Sequence, residues 1–214
     1  MSSHGSLDRL RTSLHVQIEH DRSVEVVQGK RHRWSFRAHY HSGDELVTIS
    51  EGRARLRTAS GYRDFEAGET GLVPAGTVHR FEALDREGWA FCSRFVSGPN
   101  VVWKGGRSAI IERVTQELST RPTLQTDVVS VANACAVSPG HLSRIFRNQV
   151  GTSLHNFHVV LALHKAKKLL QQRESLVEAA LDGGFFDQAH FTREFVRMIG
   201  LTPGSFRNAW AAAV

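Results

Sequence analysis

The chain has 214 residues, enough for one large domain or two small ones of roughly 100 residues each. With 41% hydrophobic and 22% charged residues, its composition is that of a folded globular protein and excludes a disordered one. Lys plus Arg outnumber Asp plus Glu by 27 to 21, a formal +6 that admits a polyanionic partner without establishing one.

Residues 1–23 read as an N-terminal arm. Met1 to Leu14 is polar and lacks the apolar segment of a signal peptide, and no apolar run approaches the roughly 20 residues that span a bilayer. The expectation is a cytoplasmic protein with no membrane partner. Residues 24–98 follow as short pieces punctuated by glycine: Glu45 to Ser50 before Gly52, Arg53 to Thr58 before Gly61, and Thr70 to Pro74 before Gly76. Short runs with closely spaced turn signals predict an all-β sandwich or barrel. Arg53, Arg55 and Arg57 alternate with Ala54 and Leu56, which predicts a half-buried strand with its arginines on a solvated face. Cys92 and Cys135 have neither metal nor redox spacing and read as buried thiols.

The first of these runs carries His39-Tyr40-His41-Ser42-Gly43-Asp44-Glu45, with Gly52 beyond it, and a second cluster follows as Gly68, Pro74, Gly76 and His79. His39 and His41, two apart, share one strand face, so both imidazoles can reach a single ion. This arrangement resembles the two cupin motifs, with Arg33 and Ala83 standing where the motifs usually have Gly and Asn. The resemblance implies a double-stranded β-helical barrel into whose mouth His39, His41, Glu45 and His79 project. Three imidazoles and a carboxylate suit Fe, Mn, Ni, Cu or Zn. Three readings stay open: a metal centre, a metal-free small-molecule pocket, and a purely structural set of histidines. Trp34, Arg37, Tyr40 and Phe81 are candidate effector-pocket residues, and alternation puts Arg37 on the face of His39 and His41 if no bulge intervenes.

Residues 99–107 read as a linker, and from residue 108 to 214 the apolar period becomes helical. The two halves differ in charge: residues 107–214 hold 12 basic and 8 acidic groups, and none of the acids falls between Asp127 and Glu174. A solvated helical face normally mixes both signs, so a window without acids points to phosphate.

Within the helical half, His141 to Gly151 matches His190 to Gly200 at an offset of 49, with His, Arg, Phe and Gly identical. An alanine-rich segment and a tight turn precede each copy, which is the pattern of a helix-turn-helix unit present twice. The apolar stripes Leu142, Ile145, Phe146 and Val150, and Phe191, Phe195 and Ile199, must face a core. That leaves His141, Ser143, Arg144 and Arg147 in the first copy, and Gln188, His190, Thr192, Arg193 and Arg197 in the second, as candidate DNA-reading residues. Ser138 and Asp187 stand at the cap positions of the two reading helices, with Pro139 at the first helical position of the former.

Gly184-Phe185-Phe186-Asp187-Gln188-Ala189-His190-Phe191-Thr192-Arg193-Glu194-Phe195, followed by Gly200, Pro203 and Arg207, resembles the DNA-binding domain of the AraC/XylS family of transcription regulators over about half the chain. The resemblance implies two helix-turn-helix units joined by a long helix near Leu154 to Gln172, with reading helices entering successive major grooves. Ala162 stands where the family usually has Arg, leaving Lys165, Lys167 and Lys168 on that helix for phosphates.

Together these features describe a two-domain chain, an N-terminal all-β cupin barrel and a C-terminal all-α double helix-turn-helix. It is expected to bind double-stranded DNA and to sense a small molecule or metal ion in the barrel, with RNA polymerase a further candidate partner. The short connection between the halves leaves no room for dimerising helices, so a monomer or a barrel-mediated homodimer is expected. The alternative is a metal-dependent cupin enzyme, of dioxygenase or isomerase type, fused to a DNA-binding domain.

Overall fold

In a computed structural model, the alternating half of the chain forms eight strands and the helical half seven helices among the described residues. The structure describes residues 11–19, 22–32, 36–96, 108–120, 122–124 and 127–213. The linker 99–107 and the candidate pocket residue Trp34 lie outside them.

β1 (Arg11–Glu19), β2 (Arg22–His32), β3 (Asp44–Glu51), β4 (Ala54–Thr58), β5 (Gly61–Phe65), β6 (Thr70–Val73), β7 (His79–Ala83) and β8 (Trp89–Val96) make two antiparallel sheets. The orders are β1-β2-β8-β3-β6 and β5-β4-β7. Val47 and Ile49 from one sheet meet Phe65 and Phe81 from the other in a common core, as period-two alternation requires. Gly52 sits at φ +70°, and a Cβ there would come within 2.5 Å of the Gly88 carbonyl oxygen, so the turn after β3 requires glycine.

Two readings shift. β1 occupies part of the segment read as an arm: Leu14 and Val16 alternate inward among polar residues, and pairing with β2 supplies the hydrogen bonds that so polar a stretch would otherwise take from water. The arginine face is neutralised as well as solvated. Arg53 pairs with Asp85, Arg55 with Asp64 and Arg57 with Glu82, and Arg55 lies 4.2 Å over the Tyr62 ring.

The helices are α1 (Ala109–Thr120), α2 (Val128–Ala134), α3 (Pro139–Val150), α4 (Leu154–Gln171), α5 (Leu176–Asp182), α6 (Gln188–Ile199) and α7 (Pro203–Ala212). The reading helices start where their caps predict: the Ser138 hydroxyl accepts from the His141 amide and the Asp187 carboxylate from the His190 amide. Both end in a left-handed glycine, Gly151 at φ 82° and Gly200 at φ 83°. Each of these glycines abuts the barrel: a Cβ would lie 3.1 Å from the Ala59 Cβ in the first case and 3.1 Å from the Phe36 ring in the second. The C-terminal ends of both reading helices therefore rest on the β half. α4 is buried on nearly every side, which explains its unbroken apolar run from Phe157 to Leu163 apart from His158.

Candidate functional site

His39 and His41 lie on a short extended segment just before β3, not within a strand. His39 exchanges two backbone hydrogen bonds of 2.8 Å with His79 at the start of β7, and the Phe36 amide donates to the Phe81 carbonyl at 3.0 Å. Glu45 faces inward from β3. These pairings bring together the four residues that the motifs predicted, with one ligand nitrogen from each of His39, His41 and His79 within 4.8 Å of one another. The Glu45 Oε2 atom lies 3.0 Å from His79 Nε2 and 3.5 Å from His41 Nε2.

Proton placement in this cluster follows from the backbone. A carbonyl oxygen can only accept, so His39 Nδ1, 2.7 Å from the Arg37 carbonyl, carries a proton, and so does His79 Nδ1, 2.9 Å from the Thr77 carbonyl. With Nδ1 so engaged, both Nε2 atoms face inward, the arrangement that metal-ligating histidines adopt. Burial, reinforced by the neighbouring His79, lowers His39 to a pKa of about 4, and burial likewise holds His41 well below its ordinary value. Burial pushes the Glu45 carboxyl up, but His79 and a hydrogen bond with Ser93 more than offset it, so Glu45 is a carboxylate. His41 Nε2, His79 Nε2 and Glu45 Oε2 are buried without a well-formed hydrogen bond among the described residues. Such groups are costly unless something satisfies them, and lone pairs converging on a carboxylate require a cation or a proton between them. The residues therefore fit a divalent transition ion. A ligand nitrogen spread of up to 4.8 Å is wider than the about 3.3 Å expected around a tetrahedral zinc, so loading would draw the rings inward.

His39, His41 and Glu45 themselves line a cavity of about 70 Å³. Phe36, Phe81, Trp89 and Phe91 wall it on the barrel side, and Leu163, His164 and Lys167 of α4 close it from the helical half. Trp89 adds a buried indole N–H without a partner among the described residues. Tyr40 and Phe81 line this cavity as expected, with Tyr40 also stacked on Phe157. Arg37 does not line it. The chain bends at Ala38, alternation fails there, and the Arg37 guanidinium instead donates to Glu194 of α6 at 2.6 Å.

The predicted reading residues of α3, His141, Ser143, Arg144 and Arg147, are all exposed on the helix surface. Arg144 lies within hydrogen-bond distance of His141, and the Ser143 hydroxyl donates back to the Pro139 carbonyl. On α6, Gln188 and Arg193 are exposed, Thr192 is half-buried, and His190 packs edge-on against Phe185. Arg197 pairs with Glu194, beside Arg37. Lys165 is held by the Asp182 carboxylate at 2.7 Å, whereas Lys168 is exposed.

Two family models match the chain: an AraC-like ligand binding domain over residues 23–126 and a helix-turn-helix domain over residues 131–209. The chain belongs to the AraC family of transcription regulators. It is 37% identical over 96 residues to the HTH-type transcriptional regulator GlxA of Rhizobium meliloti, covering 44% of this chain and 30% of that protein. It is 31% identical over 108 residues to the HTH-type transcriptional regulator MtrA of Neisseria gonorrhoeae, covering 50% of this chain and 36% of that protein. The chain thus spans about a third of the length of these curated relatives. The solved structure of ToxT from Vibrio cholerae O395 superposes on 94% of this chain and 98% of its own with a TM-score of 0.55, at 10% identity, so the two share a fold.

Sequence reasoning missed how this AraC-family chain joins its halves. The Glu25 carboxylate on β2 receives Lys167 at 3.0 Å, Trp210 Nε1 at 3.1 Å and Gln171 at 3.4 Å, all from helices of the other half. Asn156 and His164 of α4 donate to the carbonyls of Ala38 and Tyr40. A signal existed for a further contact between the halves, that of Arg37 with Glu194. Glu194 is an acid on the core side of a reading helix, where the repeat places Ile145, and a buried acid demands a partner.

Proposed function

We propose that this protein is a DNA-binding transcription regulator, cytoplasmic, whose β half senses a divalent transition metal ion held by His39, His41, His79 and Glu45. DNA binding is supported by the two capped reading helices that expose His141, Arg144, Arg147, Gln188 and Arg193, the first of them within a stretch free of acids, in a family of transcription regulators. Metal sensing is carried by a single observation: the inward Nε2 atoms of His41 and His79 converge, without a good hydrogen bond, on a buried carboxylate. When bound, the ion would supply positive charge to satisfy those lone pairs. His39 and His79 are oriented for it by the carbonyls of Arg37 and Thr77.

A second reading has its own observation. The aromatic walls and the unpartnered Trp89 N–H favour a small apolar molecule bearing an acceptor as an effector in the same cavity that His39, His41 and Glu45 line. Against the enzyme alternative, GlxA and MtrA are both named as transcriptional regulators. RNA polymerase contact rests on family membership, and a monomer or a barrel-mediated homodimer on the short connection between the halves.

The test has two parts. Selection of binding sites from random duplexes with the purified chain should yield a specific sequence, and Arg144→Ala and Arg193→Ala should each weaken binding to it about 5- to 100-fold while the fold survives. Unchanged affinity in both variants would remove the assignment of the reading faces. Elemental analysis of chain purified without chelator should find about one transition ion, lost in His39→Ala and His79→Ala; no ion in the parent chain would refute metal sensing.

A further inference from the structure

We infer that residues 36–41 couple the metal centre to the docking of the DNA-reading half, with Arg37, Asn156 and His164 as the positioning residues that carry the coupling. The inference rests on the metal reading above and adds to it a route from the ion to the reader.

The segment is held from two sides. On the barrel side its backbone is fixed by Phe36 to Phe81 and by the reciprocal pair between His39 and His79. On the other side the reading half makes polar contacts at three of its residues. Asn156 Nδ2, in the first turn of α4, donates to the Ala38 carbonyl at 2.6 Å. His164 Nε2, further along α4, donates to the Tyr40 carbonyl at 3.0 Å. Arg37 reaches α6 twice, with its guanidinium on Glu194 at 2.6 Å and its amide 3.4 Å from the Arg197 carbonyl. Glu194 is only 7% exposed and is shared with Arg197, so the Arg37 contact ends in a fixed partner in the last turns of a reading helix.

The same six residues supply two of the metal ligands. The Arg37 carbonyl accepts the Nδ1 proton of His39, so a residue gripped by α6 also sets the orientation of a ligand. Along the segment, imidazoles point to the ion while alternate carbonyls point to α4. Hydrogen bonds weaken steeply with misalignment, so the backbone position that best serves the ligands also decides how well Asn156 and His164 are met. An ion that draws His39 and His41 inward therefore has different affinities for the docked and undocked reader, which is the requirement for shifting a population. Linkage is reciprocal: whatever factor the ion contributes to docking, docking contributes to ion affinity, typically about 5- to 150-fold.

The experiment uses the full chain with Zn²⁺ alone as probe, since zinc stands high in the affinity order for nitrogen and oxygen sites. Zn²⁺ affinity is measured by competition with a chromophoric chelator, and amide hydrogen exchange is followed by mass spectrometry. Zn²⁺ should slow exchange at residues 36–41 and also in the first turn of α4 and the last turn of α6. Arg37→Ala and Asn156→Ala should each weaken Zn²⁺ binding about fivefold or more at unchanged stoichiometry, and Arg37→Lys should recover most of the loss. Neither substitution removes a ligand or the carbonyl that orients His39. Wild-type Zn²⁺ affinity in both variants, with protection confined to the barrel, would overturn the coupling and leave the metal centre standing. Failure of the wild-type chain to bind Zn²⁺ at all would overturn the metal reading and the coupling with it.

Discussion

His164 shows how a single side chain can tie stability to pH. It is enclosed between Tyr40 and the helical half, and burial, with the nearby Lys167 charge, lowers its pKa from 6.5 to about 3. The folded protein thus keeps the ring neutral while the unfolded chain protonates it near 6.5. Between these values the unfolded state binds more protons, so stability is full above pH 6.5 and falls as the pH drops toward 3. A shift of this size is worth about 2 kcal/mol between pH 7 and pH 5. In metal-free protein, urea unfolding at the two pH values should show His164→Phe losing about that much of the acid sensitivity, although it is less stable at pH 7 for want of its bond to the Tyr40 carbonyl. An unchanged pH dependence would mean that His164 is not held neutral. The four candidate ligands could be picked out because each of the two cupin motifs has a fixed internal spacing, whereas His164 could not: a histidine inside an apolar helix gives no sign of which carbonyl it will meet 124 positions away.

At the scale of elements, punctuation carried most of the fold. Ser138, Pro139, Asp187, Gly151 and Gly200 bracket the two reading helices in the sequence as they do in the structure, because capping is chemistry between residues three or four apart. β1 escaped because its apolar residues are few and its partner β2 had to be known before the alternation meant anything. The left-handed caps make a prediction that local chemistry alone would understate. Gly200→Ala should cost about 1–2 kcal/mol for the positive φ and add strain against Phe36 across the domain contact. Gly204, in the first turn of α7 with open space around its Cα, should instead gain about 0.5–1 kcal/mol on changing to Ala. Denaturant midpoints of the two variants should move in opposite directions; a stabilising Gly200→Ala would refute the cap and its barrel contact.

For the whole molecule, the charge excess that suggested DNA is partly spent inside the protein. Lys167, which the acid-free window offered to phosphate, is turned to Glu25, and Lys165 to Asp182. Composition could not reveal this, because the acid that claims Lys167 lies 142 positions away on β2. Glu25 therefore organises the union of the halves: one barrel carboxylate, 8% exposed, accepts from two residues of α4 and one of α7. Replacing it by Gln keeps the shape but removes the charge that Lys167 faces and turns one oxygen into a donor opposed to Gln171 or Trp210. Removing one partner of a buried pair leaves the other uncompensated, at a cost of about 3–5 kcal/mol. The cost falls on the interface, where this carboxylate is a polar link beside an apolar core that runs through both halves. Calorimetry of the wild-type chain should thus give one cooperative transition, and Glu25→Gln should split it into a barrel and a reader transition. A single transition in Glu25→Gln would show that the halves are joined by apolar contact alone.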